Sequence, residues 1–240
     1  MAPNPDPSER KGTATVADQT FSLTQAGVPQ YSLRVEKAGT GGGSITVDPP
    51  GTLFPAGTTV KVTAEPDVRS TFVGWSGNRT GTSSTLSLTL DADVSVTATF
   101  NLKTYTITAS AGSNGSISPQ GAIPVTYGES RSFTITPNSF YRVSDVKVDG
   151  ISQGALTAYT FPGVTGDHTL EASFTPILFT LTVNRAGSGS GSVSSDPPGT
   201  TIQAGTSVKL TANPEANSDF SGWSGGGRRN LNQCYLHDDR

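Results

Sequence analysis

The chain has 240 residues, 33% hydrophobic and 15% charged, both below the roughly 45% and 25% of an average globular domain. A net charge of −3 supplies no basic field for nucleic acid or an anionic membrane, and no apolar run approaches the roughly 18 residues of a membrane span. The single cysteine, Cys234, excludes an internal disulfide, and Met1 to Pro5 lacks the charged and apolar regions of a signal peptide.

What remains is rich in Gly (28), Pro (16), Ser, Thr and Val. Thr and Val are β-branched and suit a pleated surface. Short strands punctuated by Gly and Pro predict an all-β chain. In chain order, residues 1–29 come first. Gly12-Thr13-Ala14-Thr15-Val16, then Phe21-Ser22-Leu23-Thr24-Gln25-Ala26-Gly27, resembles the last hairpin of a BACON-type β-sandwich. That resemblance implies a partial hairpin and linker, and a chain that begins inside a larger protein.

From Tyr31 the pattern is β throughout. Tyr31 to Lys37 alternates, with Leu33 and Val35 on one face. The Gly-rich stretch Thr40 to Gly43 is expected to be a hairpin turn leading into Ser44 to Val47. Pro49-Pro50-Gly51 stops pairing, since proline donates no ladder hydrogen bond. Thr58 to Ala64 turns Val60, Val62 and Ala64 inward. Thr71 to Trp75 is short and aromatic. Thr85 to Leu90 and Val94 to Phe100 alternate again, with Asp91-Ala92-Asp93 as the turn between them.

The same text then recurs. Asp48-Pro49-Pro50-Gly51 returns as Asp196-Pro197-Pro198-Gly199, and Phe72-Val73-Gly74-Trp75-Ser76-Gly77 as Phe220-Ser221-Gly222-Trp223-Ser224-Gly225. The offset is 148 in both, twice 74. A diverged copy lies between: Tyr105 to Thr108 answers Tyr31 to Arg34, and Gly128 to Pro137 keeps the spacing of Gly57 to Pro66. A fixed period of this kind means tandem modules. The expected domains are 1–29, then repeat 1 (30–102), repeat 2 (103–176) and repeat 3 (177–240). Repeat 3 is expected to be truncated, because from about residue 226 the chain stops alternating. A frameshift near residue 228 would explain that tail, and an apolar face left half covered would be its consequence.

Gly-Ser-Ile/Val, then Ala-Gly-Thr-x-Val-Lys, then Phe-x-Gly-Trp-Ser-Gly, then a closing Val-Thr-Ala-Thr-Phe resembles the divergent internalin-B-type bacterial repeat domain. The middle copy, with Val146-Lys147-Val148-Asp149-Gly150 and Tyr159-Thr160-Phe161, is similar to its other flavour. The resemblance covers about 31 to 225. It implies tandem small β-rich, β-grasp-like modules of about 74 residues with little or no helix, carried on secreted and cell-surface bacterial proteins, with no catalytic residues and no cofactors.

Candidate chemistry is sparse. His168 reads as a solvated turn residue. Cys234 and His237 share the tail but have no third group to orient them. Asp91 with Asp93, and Asp145 with Asp149, lack calcium-loop spacing and read as turn formers. Trp75 and Trp223 are the ligand-binding candidates of a carbohydrate reading, since exposed aromatic rings stack on sugars. Phe-x-Gly-Trp sets its aromatics three apart, hence on opposite strand faces, so one of each pair is expected to face the core. A packed Trp with its indole N–H bonded to backbone is the favoured role. The expected function is a non-catalytic spacer, stalk or adhesive region outside the cell, partnered by other domains of a larger surface protein. The alternatives are a carbohydrate-binding or adhesin module that meets glycans or host or cell-wall polymers, and an accessory region of a secreted hydrolase.

Overall fold

The computed structural model describes Asn4, residues 6–225 and, by backbone alone, 228–230 and 233–236. It divides into two compact units, Met1–Thr104 and Tyr105–Arg240. The described residues form strands and turns, with no helix.

The first unit opens with an antiparallel hairpin, β1 (Arg10–Val16) and β2 (Gln19–Gln25). Its two turn residues, Ala17 and Asp18, have φ of 48° and 62°, as a tight two-residue hairpin turn requires. The expected hairpin is therefore present. Ala14, Val16, Phe21 and Leu23 share one face of it, and all four are exposed.

Repeat 1 follows with seven strands, one more than the alternation marks. They are β3 (Gln30–Ala38), β4 (Gly43–Asp48), β5 (Leu53–Pro55), β6 (Thr58–Pro66), β7 (Ser70–Gly77), β8 (Thr85–Leu90) and β9 (Val94–Leu102). The additional strand, β5, spans only Leu53–Pro55, too short for a period to show. Two sheets form, β5-β3-β9-β7 and β4-β6-β8, and their inward residues make one core. Leu33, Trp75, Val96, Ala98 and Phe100 come from the first sheet, and Val60, Val62, Leu88 and Leu90 from the second. Strict alternation achieves this: Val60, Val62 and Ala64 are buried while Lys61 between them is exposed.

Sheet membership corrects the expected hairpin turns. Thr40 to Gly43 joins β3 of one sheet to β4 of the other, so it is a corner between layers. Gly43 is needed there for a steric reason. A Cβ on it would lie 2.6 Å from the ring of Phe100 and 2.6 Å from the carbonyl oxygen of Glu65. The corner is held by Ser70, whose Oγ accepts from the Gly42 N–H at 2.9 Å.

The second unit repeats the plan. Repeat 2 has β10 (Thr104–Ala111), β11 (Gly115–Ser118), β12 (Gly121–Thr126), β13 (Arg131–Pro137), β14 (Tyr141–Val148), β15 (Ile151–Ser152), β16 (Ala158–Phe161) and β17 (His168–Pro176). Its sheets are β12-β10-β17-β14-β15 and β11-β13-β16. Its core gathers Ile107, Ile117, Phe133, Ile135, Val146 and Leu170, among others.

In both repeats the last strand returns to lie beside the first, and parallel to it. Leu33 to Ala38 pairs with Val94 to Thr99, and Ile107 to Ala111 with His168 to Ala172. This grasp-like closure is the central feature of both repeats.

Repeat 3 has β18 (Leu178–Thr180), β19 (Gly191–Asp196), β20 (Thr201–Gln203), β21 (Val208–Pro214), β22 (Arg228–Asn230) and β23 (Gln233–Leu236). Ser188 to Gly191 is, like its counterpart in repeat 1, a link between sheets. The tail departs from expectation. Its backbone is paired: Val208 opposes Leu236, the register in which Val60 opposes Leu88 in repeat 1. Edge pairing with β21 supplies order that side-chain alternation does not announce, because ladder hydrogen bonds come from the backbone. Repeat 3 is tied to repeat 2 at one end. The Phe140 carbonyl accepts from the Ile177 N–H at 2.9 Å, and the Ile177 carbonyl from the Ala204 N–H at 2.8 Å.

Candidate functional site

Trp75 stands in β7 opposite Ala98 of β9. It is 4% exposed. Its indole N–H donates to the Ser83 carbonyl at 3.0 Å, and its backbone N–H donates to the Gly81 carbonyl at 2.7 Å. The ring centroids of Phe72 and Trp75 are 5.5 Å apart, and Phe72 meets Phe100 edge-on at 5.7 Å. The expectation that Phe72 and Trp75 take opposite faces is overturned. The β7–β9 register shifts between Phe72 and Gly74, and such a bulge adds one residue to the count, so positions three apart share a face. Both aromatics therefore pack on the core, and Val73 takes the outside. The same shift occurs in β14 between Val143 and Asp145.

Trp223 shows the same aromatic contact, 5.1 Å from Phe220, and is half-buried against the small cluster of Val208 and Leu210. Its counterpart of Ser83 is Leu231, which lies outside the described residues. A shallow depression of about 360 Å³ lies beside Trp75, lined by Val73, Thr80, Thr82 and Thr99. It is a surface of small and hydroxyl side chains. Trp75 also borders that depression, but its side chain packs on the core.

The second depression, about 240 Å³, is polar. Thr106, Thr108, Asp149, Asp167, His168 and Thr169 line it. His168 is not the solvated turn residue expected: it begins β17 with a side chain 29% exposed. Its Nδ1 lies 2.8 Å from Asp149 Oδ2, and its ring is 4.9 Å from that of Phe161. Asp149, with φ of 50°, also accepts from the Thr169 N–H at 2.7 Å. That backbone bond, and then His168, hold its carboxyl below the ordinary aspartate value. No cysteine or serine among the described residues joins the pair as a nucleophile, and no cluster of three metal-binding side chains exists among them.

The other aspartates serve the backbone. Asp93 Oδ1 accepts from the Ser32 N–H at 2.7 Å and from the Ser32 hydroxyl at 2.9 Å, and the backbone bond is the larger reason its carboxyl is held low. Asp167 Oδ1 accepts from the Thr106 N–H at 2.7 Å. Each ties the start of a last strand to a first strand. Asp145 bonds the Ser152 hydroxyl at 2.6 Å and the Gly154 N–H at 3.2 Å, holding the β14–β15 turn. Asp91 is exposed in the turn before β9. Cys234 lies in β23 and His237 outside the described residues.

Two repeats that share a parallel closure and a bulge, and a third that keeps the corner of the first, are now in view. The model of the divergent InlB B-repeat domain matches three times, at residues 33–104, 105–178 and 179–236. This chain belongs to that family. The third InlB B-repeat match runs into the tail from residue 226, where the sequence alone marks a break, and all three leave the β1–β2 hairpin outside. No curated protein matches the chain. Among solved structures, the Bacillus anthracis TIE protein is similar at 8% identity and a TM-score of 0.43, over 90% of this chain and 49% of that one. The B-repeat chain thus spans about half the length of that solved chain.

Proposed function

We propose that this chain is a section of a non-catalytic stalk or spacer in a bacterial secreted or cell-surface protein, and that its repeats are built to carry tension. The observation that supports this most directly is the parallel pairing of first and last strands in repeats 1 and 2. A repeat is entered at the start of its first strand and left at the end of its last. In a parallel pair those two points lie at opposite ends of one hydrogen-bonded seam. A pull along the chain therefore loads the whole seam in shear, and its bonds must fail together. An antiparallel terminal pair would unzip one bond at a time.

Asp93 and Asp167 reinforce the loaded end by bonding first-strand N–H groups. Several carboxylates fit the same reading, since Asp67, Asp93, Asp145 and Asp167 accept from backbone N–H groups at corners, turns and strand ends. The carbohydrate reading rests on Trp75 and Trp223, and Trp75 is committed to the core.

The test is to stretch the 240-residue chain by its ends with an atomic-force cantilever. Two major force peaks are expected, each releasing about 70 residues, or roughly 25 nm of chain at ~3.5 Å per residue. Asp93→Ala is expected to lower one of the two peaks and leave the other unchanged. Unfolding without resolved peaks would sink the tension-bearing reading. Specific glycan-array binding that survives Trp75→Phe would favour an adhesin.

A further inference from the structure

Repeat 2 hands over to repeat 3 through one residue. β17 ends at Pro176 and β18 begins at Leu178, so Ile177 is the whole linker. The peptide on each side of it is anchored, one to each repeat. The Ile177 N–H donates to the Phe140 carbonyl of repeat 2 at 2.9 Å, and the Ile177 carbonyl accepts from the Ala204 N–H of repeat 3 at 2.8 Å. What is left to move is the φ, ψ pair of Ile177 itself, since a residue has only these two soft backbone torsions. By backbone alone the joint is a pivot.

A further contact lies off that pivot. The Phe140 ring covers the turn after β20, so closely that a Cβ on Gly205 would lie 2.7 Å from its Cε2. Gly57 is the same turn glycine in repeat 1, with φ of 80° against 77° at Gly205. An added Cβ on Gly57 has no described neighbour within 4 Å. Beside the ring, the Gln203 amide reaches the Tyr141 hydroxyl at 3.5 Å. Ala204 is buried, while its repeat 1 counterpart, Ala56, is only half-buried.

Phe140 suits its own backbone poorly. Its φ is 69°, a left-handed conformation that Gly and Asn accept more readily than a bulky aromatic residue. Such a conformation persists where the surroundings fix it. In repeat 1 the residue that makes the same carbonyl bond is Arg69, which accepts from the Lys103 N–H at 2.9 Å. The aromatic ring is therefore particular to repeat 2.

We infer that the exit end of repeat 2 is an interface for the repeat that follows it, with Phe140 as its lock, so that repeats 2 and 3 turn as one rigid body. Ile177 is the pivot, and the ring seated on Gly205 stops rotation about it. Stiffness at this joint comes from one side chain, and it holds whether or not the chain bears tension.

The test uses the 240-residue chain, with tumbling times read from nitrogen-15 relaxation of the β13 and β21 amides. The two times are expected to agree in the parent. Phe140→Asn accepts the same φ but lacks the ring. It is expected to shorten the β21 time relative to that of β13, and to speed hydrogen exchange of the Ala204 N–H about tenfold. Phe140→Tyr, which keeps the ring, is expected to behave as the parent. Separate tumbling times in the parent would overturn the inference. So would a Phe140→Asn chain that tumbles and exchanges as the parent does. Faster exchange throughout β17 in that variant would also overturn it, since Phe140 would then serve the fold of repeat 2 and not the joint.

Discussion

At the scale of the residue, glycines and aspartates carry more of this design than their chemistry announces. Gly43 is required because the ring of Phe100 closes the core directly over it. Gly43→Ala is expected to cost about 1–3 kcal/mol, the usual cost of overpacking a filled core, read as a lower urea midpoint for repeat 1. Gly81→Ala is the control: nothing lies within 4 Å of its added Cβ, so the midpoint is expected to stay put. Asp149 gives a pH signature. Its carboxyl is held low by the Thr169 N–H and then by His168. A carboxylate whose native pKa is depressed stabilises the fold above its unfolded value, and that contribution is lost as pH falls through the native value. Asp149→Asn is therefore expected to lower the melting temperature at pH 7, and the gap to the parent should close as pH drops below the ordinary value of 3.8.

At the scale of the element, the β7 bulge decides what the tryptophan is for. It brings Phe72 and Trp75 to one face, against Phe100. Trp75→Ala is expected to cost about 3–5 kcal/mol, in the range of large-to-small core changes. Trp75→Phe keeps most of the ring but leaves the Ser83 carbonyl without its donor, and is expected to cost about 1–3 kcal/mol. Denaturant titration separates the two. The alternating strands β6, β8 and β9 were legible in the sequence, because a two-residue period is a local property. The bulge was not, since the extra residue is defined only against the partner strand. The short β5 and β23 escaped for a related reason: both are specified by the strand they pair with and too brief to show a period.

At the scale of the whole molecule, the parallel seams set the order in which parts open. Hydrogen exchange at equilibrium is expected to be slowest in β9 and β17, each paired on both sides and lined by core residues. It is expected to be fast at 181–186, which has no strand partner. Protection at 181–186 comparable to that in β9 would overturn that order.

The sequence by itself determined the all-β class, the 74-residue period, the inward faces of the long strands and the family. These follow from side-chain alternation and from copied text, both readable without knowing what touches what. The tertiary structure decided which strands share a sheet. It turned the Gly-rich stretches into corners between layers, set the last strand of repeats 1 and 2 parallel to the first, and paired the tail with β21. Alternation says which face of a strand is buried but is silent on its neighbour, because every strand offers the same backbone donors and acceptors. The choice of neighbour is made by the packing of the two layers around Phe100 and Trp75 in repeat 1 and around Phe133, Ile135 and Leu170 in repeat 2.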